Sequence, residues 1–354
     1  MAVGWPPPPD SATSPLGWPP PGVTPHDGGL PDVSRETAPT APPQPSADVS
    51  RETEPTEDAT LTDLAEPVGE SREASTKVPG GDWPLPATPR VLGVANQKGG
   101  VGKTTSTVNL AVALAQHGAR VLVVDLDPQG NTSTAFSVEH REGTPSIYDV
   151  LVHGRPLSEV AAAVEGVPTL RCAPATIDLA GAEIELVSMV ARETRLAKAI
   201  AAVEGDYDYV FIDCPPSLGL LTVNALVAAR EVLIPIQCEF YALEGLSQLL
   251  RNIELVRAHL NPTLHVSTIL LTMFDARTRL AEQVADEVRN HFGPVVLTES
   301  IPRSVRISEA PGYGQSVMTY DPASRGARAY AQAAYELASR PETAEGQTTE
   351  GTAS

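Results

Sequence analysis

Val91-Leu92-Gly93-Val94-Ala95-Asn96-Gln97-Lys98-Gly99-Gly100-Val101-Gly102-Lys103-Thr104-Thr105 runs from an apolar strand through a glycine loop into the start of a helix. Gly99, Gly100 and Gly102 let the backbone curl tightly and turn its N–H groups inward, and the helix that follows aims its positive dipole end at the same point. The stretch therefore reads as a phosphate cradle. Lys103 is placed to neutralise β- and γ-phosphate oxygens, and the Thr104 hydroxyl to complete a Mg²⁺ shell.

Two departures from the plain G-x-x-x-x-G-K-[ST] pattern stand out: Gln97 occupies the position of the first glycine, and Lys98 adds a second lysine. A loop that holds one triphosphate has one lysine at its apex, so a cation at its start points away from its own nucleotide or towards a neighbour's. Here the chain resembles the deviant Walker-A ATPases, whose signature is matched by Lys98, Gly99, Gly100, Val101, Gly102, Lys103, Thr104 and Thr105. The resemblance implies ATP and Mg²⁺ as cofactors. It also implies an ATP-dependent homodimer, in which the extra lysine reaches the partner's phosphates.

Two further strand ends carry acids. Val121-Leu122-Val123-Val124 runs into Asp125-Leu126-Asp127-Pro128-Gln129-Gly130-Asn131, and Tyr209-Val210-Phe211-Ile212 ends in Asp213, followed by Cys214-Pro215-Pro216. Aspartates just past buried strands sit where a parallel sheet binds its ligand. The D-x-D-P-Q-G-N run resembles the switch of partition-type ATPases. That resemblance implies that Asp127 positions the attacking water, that Asp125 holds the metal shell or the loop lysine, and that Asp213 contacts Mg²⁺ as the Walker-B residue. Pro215-Pro216 then reads as a γ-phosphate-dependent switch.

From Val91 onward, β-branched runs alternate with Ala- and Leu-rich helical stretches, the pattern of an α/β fold with a parallel sheet covered by helices on both faces. Strands are expected at 91–96, 120–125, 168–172, 207–213, 231–236, 265–271 and 294–298, with helices over Thr104–His117 and Leu243–Leu260. The chain has 354 residues and a net charge of −19. Residues 1–90 hold 20 of its 34 prolines and all three tryptophans, Trp5, Trp18 and Trp83. The expected layout is a disordered proline-rich acidic arm over 1–89, a P-loop ATPase domain over 90–340 and a disordered tail over 341–354. Cys172, Cys214 and Cys238 are unevenly spaced, with no C-x-x-C, and read as reduced core residues. No apolar run approaches the roughly 20 residues needed to span a bilayer, and the N-terminus has no signal-peptide pattern. A cytoplasmic protein is expected.

Arg277 and Arg306 follow strands at the ligand-side rim, and the chain best resembles the chromosomal ParA/Soj branch over roughly residues 90–338. In that branch the matching arginines bind non-specific DNA on the dimer, segments matching Met273 and Pro302 lie near the adenine, and a ParB-type centromere-binding protein is the partner. The stretches Gln237–Gly245 and Ser308–Gly312 also match it. The expected function is chromosome or plasmid partitioning, nucleoid-associated in the ATP state. The alternative is a MinD-like membrane-associated ATPase of division-site positioning. That class ends in a basic amphipathic helix, whereas Pro341-Glu342-Thr343-Ala344-Glu345 is polar and acidic, so no stable membrane association is expected. Iron–sulfur carriers need paired cysteines, and amide-forming relatives on the same core a second catalytic domain.

The hexapeptide Asp-Val-Ser-Arg-Glu-Thr occurs twice, at Asp32–Thr37 and Asp48–Thr53. One reading is a short partner-binding motif on a flexible tether. The other lies in the gene: codons GAT-GTT-TCA-CGT-GAA-ACA spell the peptide and contain the palindrome TGTTTCACGTGAAACA, which matches the centromere-like site of a ParB-type partner.

Overall fold

A computed structural model describes residues 83–239 and 242–340. Both hexapeptides, the rest of the expected arm, Phe240, Tyr241 and the tail from 341 lie outside the described residues. Eight strands form one sheet in the order β3-β4-β2-β5-β1-β6-β7-β8. They are β1 (Arg90–Val94), β2 (Val121–Asp125), β3 (Ala162–Ala163), β4 (Leu170–Ala173), β5 (Tyr209–Asp213), β6 (Glu231–Gln237), β7 (His265–Phe274) and β8 (Val296–Pro302). All seven expected strands are present and parallel; the two-residue β3, antiparallel to β4, is too short for a sequence pattern. β8 begins after the expected 294 because Gly293–Val295 forms a 3₁₀ turn, and Pro294 has no N–H to give a ladder.

The helices used below are α1 (Lys103–Gln116), α2 (Asn131–Ala135), α3 (Leu179–Leu186), α4 (Leu220–Ala228), α5 (Ala242–His259), α6 (Arg279–Phe292), α7 (Val305–Glu309) and α8 (Arg325–Ser339). The strands alternate strictly between two cores. Val91, Leu122, Val124, Val210 and Ile212 pack with α3, α4, α5 and α6. Leu92, Val94, Val121, Val123, Tyr209 and Phe211 pack with α1 and α8 on the other face. The central strand β1 therefore carries its glycine loop to the middle of the sheet's carboxyl edge.

Part of the expected arm belongs to this core. Trp83 is 5% exposed, stacks on His117 at 3.6 Å and meets Tyr335 edge-on at 5.5 Å. Its indole gains an apolar seat between α1 and α8, so the ordered fold begins before residue 90 rather than after 89.

At the opposite edge from the loop, Arg90 grips Glu231 in a buried fork, Nε to Oε1 at 2.8 Å and Nη2 to Oε2 at 2.6 Å, while its Nη1 donates to Leu337 O at 2.7 Å. Burial alone would raise the Glu231 carboxyl, but the guanidinium outweighs it and holds the carboxyl below its ordinary value. A depressed carboxylate stabilises the fold above its unfolded pKa of about 4.3, and that contribution is lost as pH falls below it. Denaturant titrations from pH 6 to pH 3 should show Glu231→Gln losing stability less steeply than the unaltered chain.

Candidate functional site: a phosphate loop among buried aspartates

Between β1 and α1 the chain takes the conformation that its glycines allow. Gly100 (φ 75°) and Gly102 (φ 89°) are left-handed, so a side chain at either would strain the loop. Two strands on one side of β1 pin it: Asn96 Nδ2 donates to Pro235 O of β6 at 2.8 Å, and Thr272 Oγ1 of β7 to Val101 O at 2.8 Å. Asn96 Oδ1 also accepts from Lys98 N at 3.0 Å.

Lys103 is buried, with Nζ 3.4 Å from Lys98 O. Burial lowers its pKa, and Asp213 and Asp127 oppose the shift. Thr104 Oγ1 donates to Asp213 Oδ2 at 2.7 Å. That proton leaves the hydroxyl lone pairs to face a cation, so the pair fits an octahedral Mg²⁺ held by a hydroxyl, phosphates and waters. Among the described residues there is no cluster of three or more His, Cys, Asp or Glu suited to a metal.

Asp125 and Asp213 are register partners at the ends of β2 and β5, both fully buried. Burial raises both carboxyls; for Asp125 the charge of Asp213 adds to it, whereas hydroxyl bonds from Thr104 and Thr132 restrain Asp213. Asp125, expected at the metal shell or the loop lysine, meets the segment after β2. Its Oδ2 accepts from Ser133 N at 2.8 Å and Ser133 Oγ at 2.6 Å, and its Oδ1 from Asp127 N at 3.3 Å. Its hydrogen bonds thus run to the switch segment, where it fixes the backbone of Asp127. Asp127 itself is 8% exposed and accepts from Gln129 N at 3.1 Å.

Two hydroxyls that the motif reading passed over complete the network. Thr132 Oγ1 donates to the same Asp213 Oδ2 at 2.7 Å, and Ser133 Oγ also accepts from Ala175 N at 3.1 Å. The only local signal was the polar run Asn131-Thr132-Ser133-Thr134, and a five-residue helix has too few turns to show a buried face. Gln97 Nε2 is buried with no hydrogen-bond partner among the described residues. It lines a groove with Pro215, Pro216 and Leu218, just past β5.

Lys98 takes no part in the cradle with its side chain. Its Nζ pairs with Glu239 at 2.9 Å, and the lysine side chain is 35% exposed. Beside Thr104 and Thr105 opens a cleft of about 280 Å³, also lined by Asn109, Asn131, Pro311 and Gln315. Met273 and Pro302 lie together at the strand ends, since Phe274 and Pro302 are register partners, and Met273 is held at φ 50°. Arg277 is 88% exposed and forked onto Asp275; Arg306, 55% exposed, pairs with Glu309 at 3.1 Å and Asp321 at 3.5 Å. All three cysteines are buried and free.

A family model described as an AAA domain matches residues 89–266. The chain is 52% identical over 249 residues to sporulation initiation inhibitor protein Soj of Bacillus subtilis (strain 168), covering 70% of this chain and 98% of that protein. It is 51% identical over 253 residues to chromosome partitioning protein ParA of Caulobacter vibrioides, covering 71% and 94%. Among solved structures it is similar to cobyrinic acid a,c-diamide synthase from Mycobacterium smegmatis with bound ATP analog and magnesium. That match has 39% identity and TM-score 0.57, and covers 67% of this chain and 98% of that one. Fold and site together define a P-loop ATPase that uses ATP and Mg²⁺. The chain belongs to the ParA/Soj family of chromosome-partitioning ATPases.

Ser133→Ala removes the hydroxyl that joins Asp125 to Ala175 N and leaves a buried acceptor short of a donor. Turnover should fall about tenfold or more through misplacement of Asp127, with nucleotide affinity nearly unchanged, and Ser133→Thr should restore it. Steady-state ATPase assays beside equilibrium nucleotide binding separate the two effects.

Proposed function

We propose that this ATPase dimerises on ATP, binds DNA without sequence preference as that dimer, and is returned to monomer when a ParB-type centromere-binding partner stimulates hydrolysis. The observation that carries the reading is Lys98: a signature lysine in a complete phosphate loop whose ammonium is turned out to Glu239 instead of into its own cradle. An exposed pair of this kind is worth little, on the order of 0–1 kcal/mol, so a partner's triphosphate can outcompete it.

The geometry supports a role for each residue in this reading. Loop N–H groups and Lys103 bind phosphate oxygens, and Thr104 and Asp213 would hold Mg²⁺. The metal supplies charge neutralisation on the phosphates when bound. Asp127 orients the attacking water, and Asp125, through Ser133 and Asp127 N, holds that carboxylate in register with the loop. Asp125 is therefore a positioning residue rather than a metal ligand. Met273 and Pro302, at adjoining strand ends, suit the adenine side of the site.

Arg277 and Arg306 emerge from neighbouring β7 and α7 at the same rim and are open to solvent. A two-fold axis doubles them, which turns a few weak phosphate contacts into a usable face. Such a protein would be cytoplasmic and nucleoid-associated in its ATP state. Among the described residues no helix is long and apolar enough to cross a membrane. The synthase of M. smegmatis is an amide-forming relative by name, and its chain is matched over 98% of its length, so domain content does not separate it from this chain. The partition reading is favoured by the higher identity, 52%, to Soj.

Lys98→Ala should keep nucleotide binding yet lose ATP-dependent dimer and turnover, while Asp127→Ala should accumulate an ATP-bound dimer that does not hydrolyse. Light scattering in ADP and in a slowly hydrolysed ATP analogue checks both, and equal masses for the unaltered chain in the two nucleotides would refute the dimer.

DNA affinity of the ATP state should fall steeply with salt and vary little with sequence. Arg277→Glu with Arg306→Glu should lower it at least about tenfold, a loss read by fluorescence anisotropy at fixed ionic strength.

A further inference from the structure

The chain just past α2 and the arginine-bearing rim meet closely at Ser137 and Gly314. Ser137, two residues past α2, is a non-glycine at φ 52°, and Gly314, directly after the turn Ala310–Tyr313, is at φ 65°. Ser137 Oγ donates to Gly314 O at 3.2 Å. A Cβ built on Gly314 would lie 1.8 Å from that Oγ, so the short serine side chain alone spans the gap and fills the space a side chain at 314 would need. Phe136 and Ala310, each beside this contact, are buried in the same apolar cluster.

Physical links run outward from it in both directions. Towards the nucleotide, α2 is tied by Thr132 to Asp213 at 2.7 Å and by Ser133 to Asp125 at 2.6 Å. The turn from α2 to Ser137 is held by Ser137 N to Thr134 O at 3.0 Å and Val138 N to Ser133 O at 3.0 Å. Towards the rim, Tyr313 stacks on Tyr320 at 5.0 Å, Tyr320 OH donates to Glu309 at 3.4 Å, and Glu309 pairs with Arg306 at 3.1 Å.

We propose that the Ser137–Gly314 contact couples the state of the nucleotide switch to the Arg306 rim, so that nucleotide bound at the loop changes how firmly Glu309 holds Arg306. Close-packed contacts without slack pass small displacements on rather than damping them. A nucleotide that draws Thr132 and Asp213 towards its metal moves α2, and the displacement reaches Tyr313 through Gly314. Arg306 is thereby loosened for a phosphate-bearing polymer. By reciprocity, a ligand of the rim then tightens the nucleotide site by the same factor. The DNA half of this inference rests on the reading given above; the coupling itself does not.

The test uses the full chain and Ser137→Gly, which keeps a left-handed backbone available while deleting the hydroxyl, with Tyr320→Phe as a second break in the same path. Amide hydrogen exchange over residues 305–320 is measured with and without Mg²⁺ and a non-hydrolysable ATP analogue, and DNA affinity is measured in the same two states. In the unaltered chain the analogue should change exchange over 305–320 and strengthen DNA binding. In Ser137→Gly the exchange response should vanish over 305–320, in Tyr320→Phe it should vanish over 305–309 alone, and in both the ratio of DNA affinities should fall about fivefold or more, with analogue affinity kept within about twofold. No exchange response in the unaltered chain, or variants that respond as it does, overturns the coupling. An exchange response that Ser137→Gly abolishes, in a chain whose DNA affinity ignores nucleotide, supports the coupling and refutes the DNA reading instead.

Discussion

Two carboxylates that must share a dry corner organise this protein. Asp125 and Asp213 end adjacent strands in register, fully buried, and each raises the cost of ionising the other or is raised by its own burial. A buried like-charged pair persists only when donors are arranged around it. Here the donors are Thr104 and Thr107 from the first turns of α1, Thr132 and Ser133 from α2 and the backbone of Asp127. Solving that electrostatic problem ties loop, switch and sheet edge into one network. A magnesium ion fits the same corner because its charge would add to that of Lys103 in offsetting the carboxylates and the phosphates.

That network also makes the site responsive. Thr104 and Thr132 share one oxygen of Asp213, so any change in what that oxygen faces is felt in α1 and α2 together. Beyond α2 lies Ser137 in a backbone conformation that costs a non-glycine residue on the order of 1 kcal/mol. Met273 is held in a similar conformation at the end of β7. Such strain persists where the surrounding packing over-determines it; among the described residues the third such position, Ala191, opens the turn Arg192–Thr194.

Lys98 follows a different logic. Its exposed partner Glu239 holds it loosely, in contrast to the buried fork of Arg90 and Glu231 at the far edge of the sheet. One ion pair is built into the fold, where removing a partner strands a buried charge; the other can exchange partners at little cost.

The phosphate loop, the seven parallel strands and the reduced cysteines were legible in the sequence, because each depends on local chemistry: glycines that permit φ above zero, β-branched runs that fill a two-sided sheet, thiols without a metal spacing. Asp127 and Asp213 were legible as strand-end acids for the same reason. The contacts of Asp125 were not, since packing sets which donors reach a buried carboxylate, and Ser133 arrives there only when α2 folds back over β2. Trp83 reads as arm by composition and becomes core only when α1 and α8 lie side by side to receive it. Glu239 beside Lys98, and Ser137 against Gly314, are contacts between segments remote in sequence, and no periodicity along the chain encodes them. Sequence alone determined the chemistry of the cradle, and tertiary packing decided which side chains hold it in place.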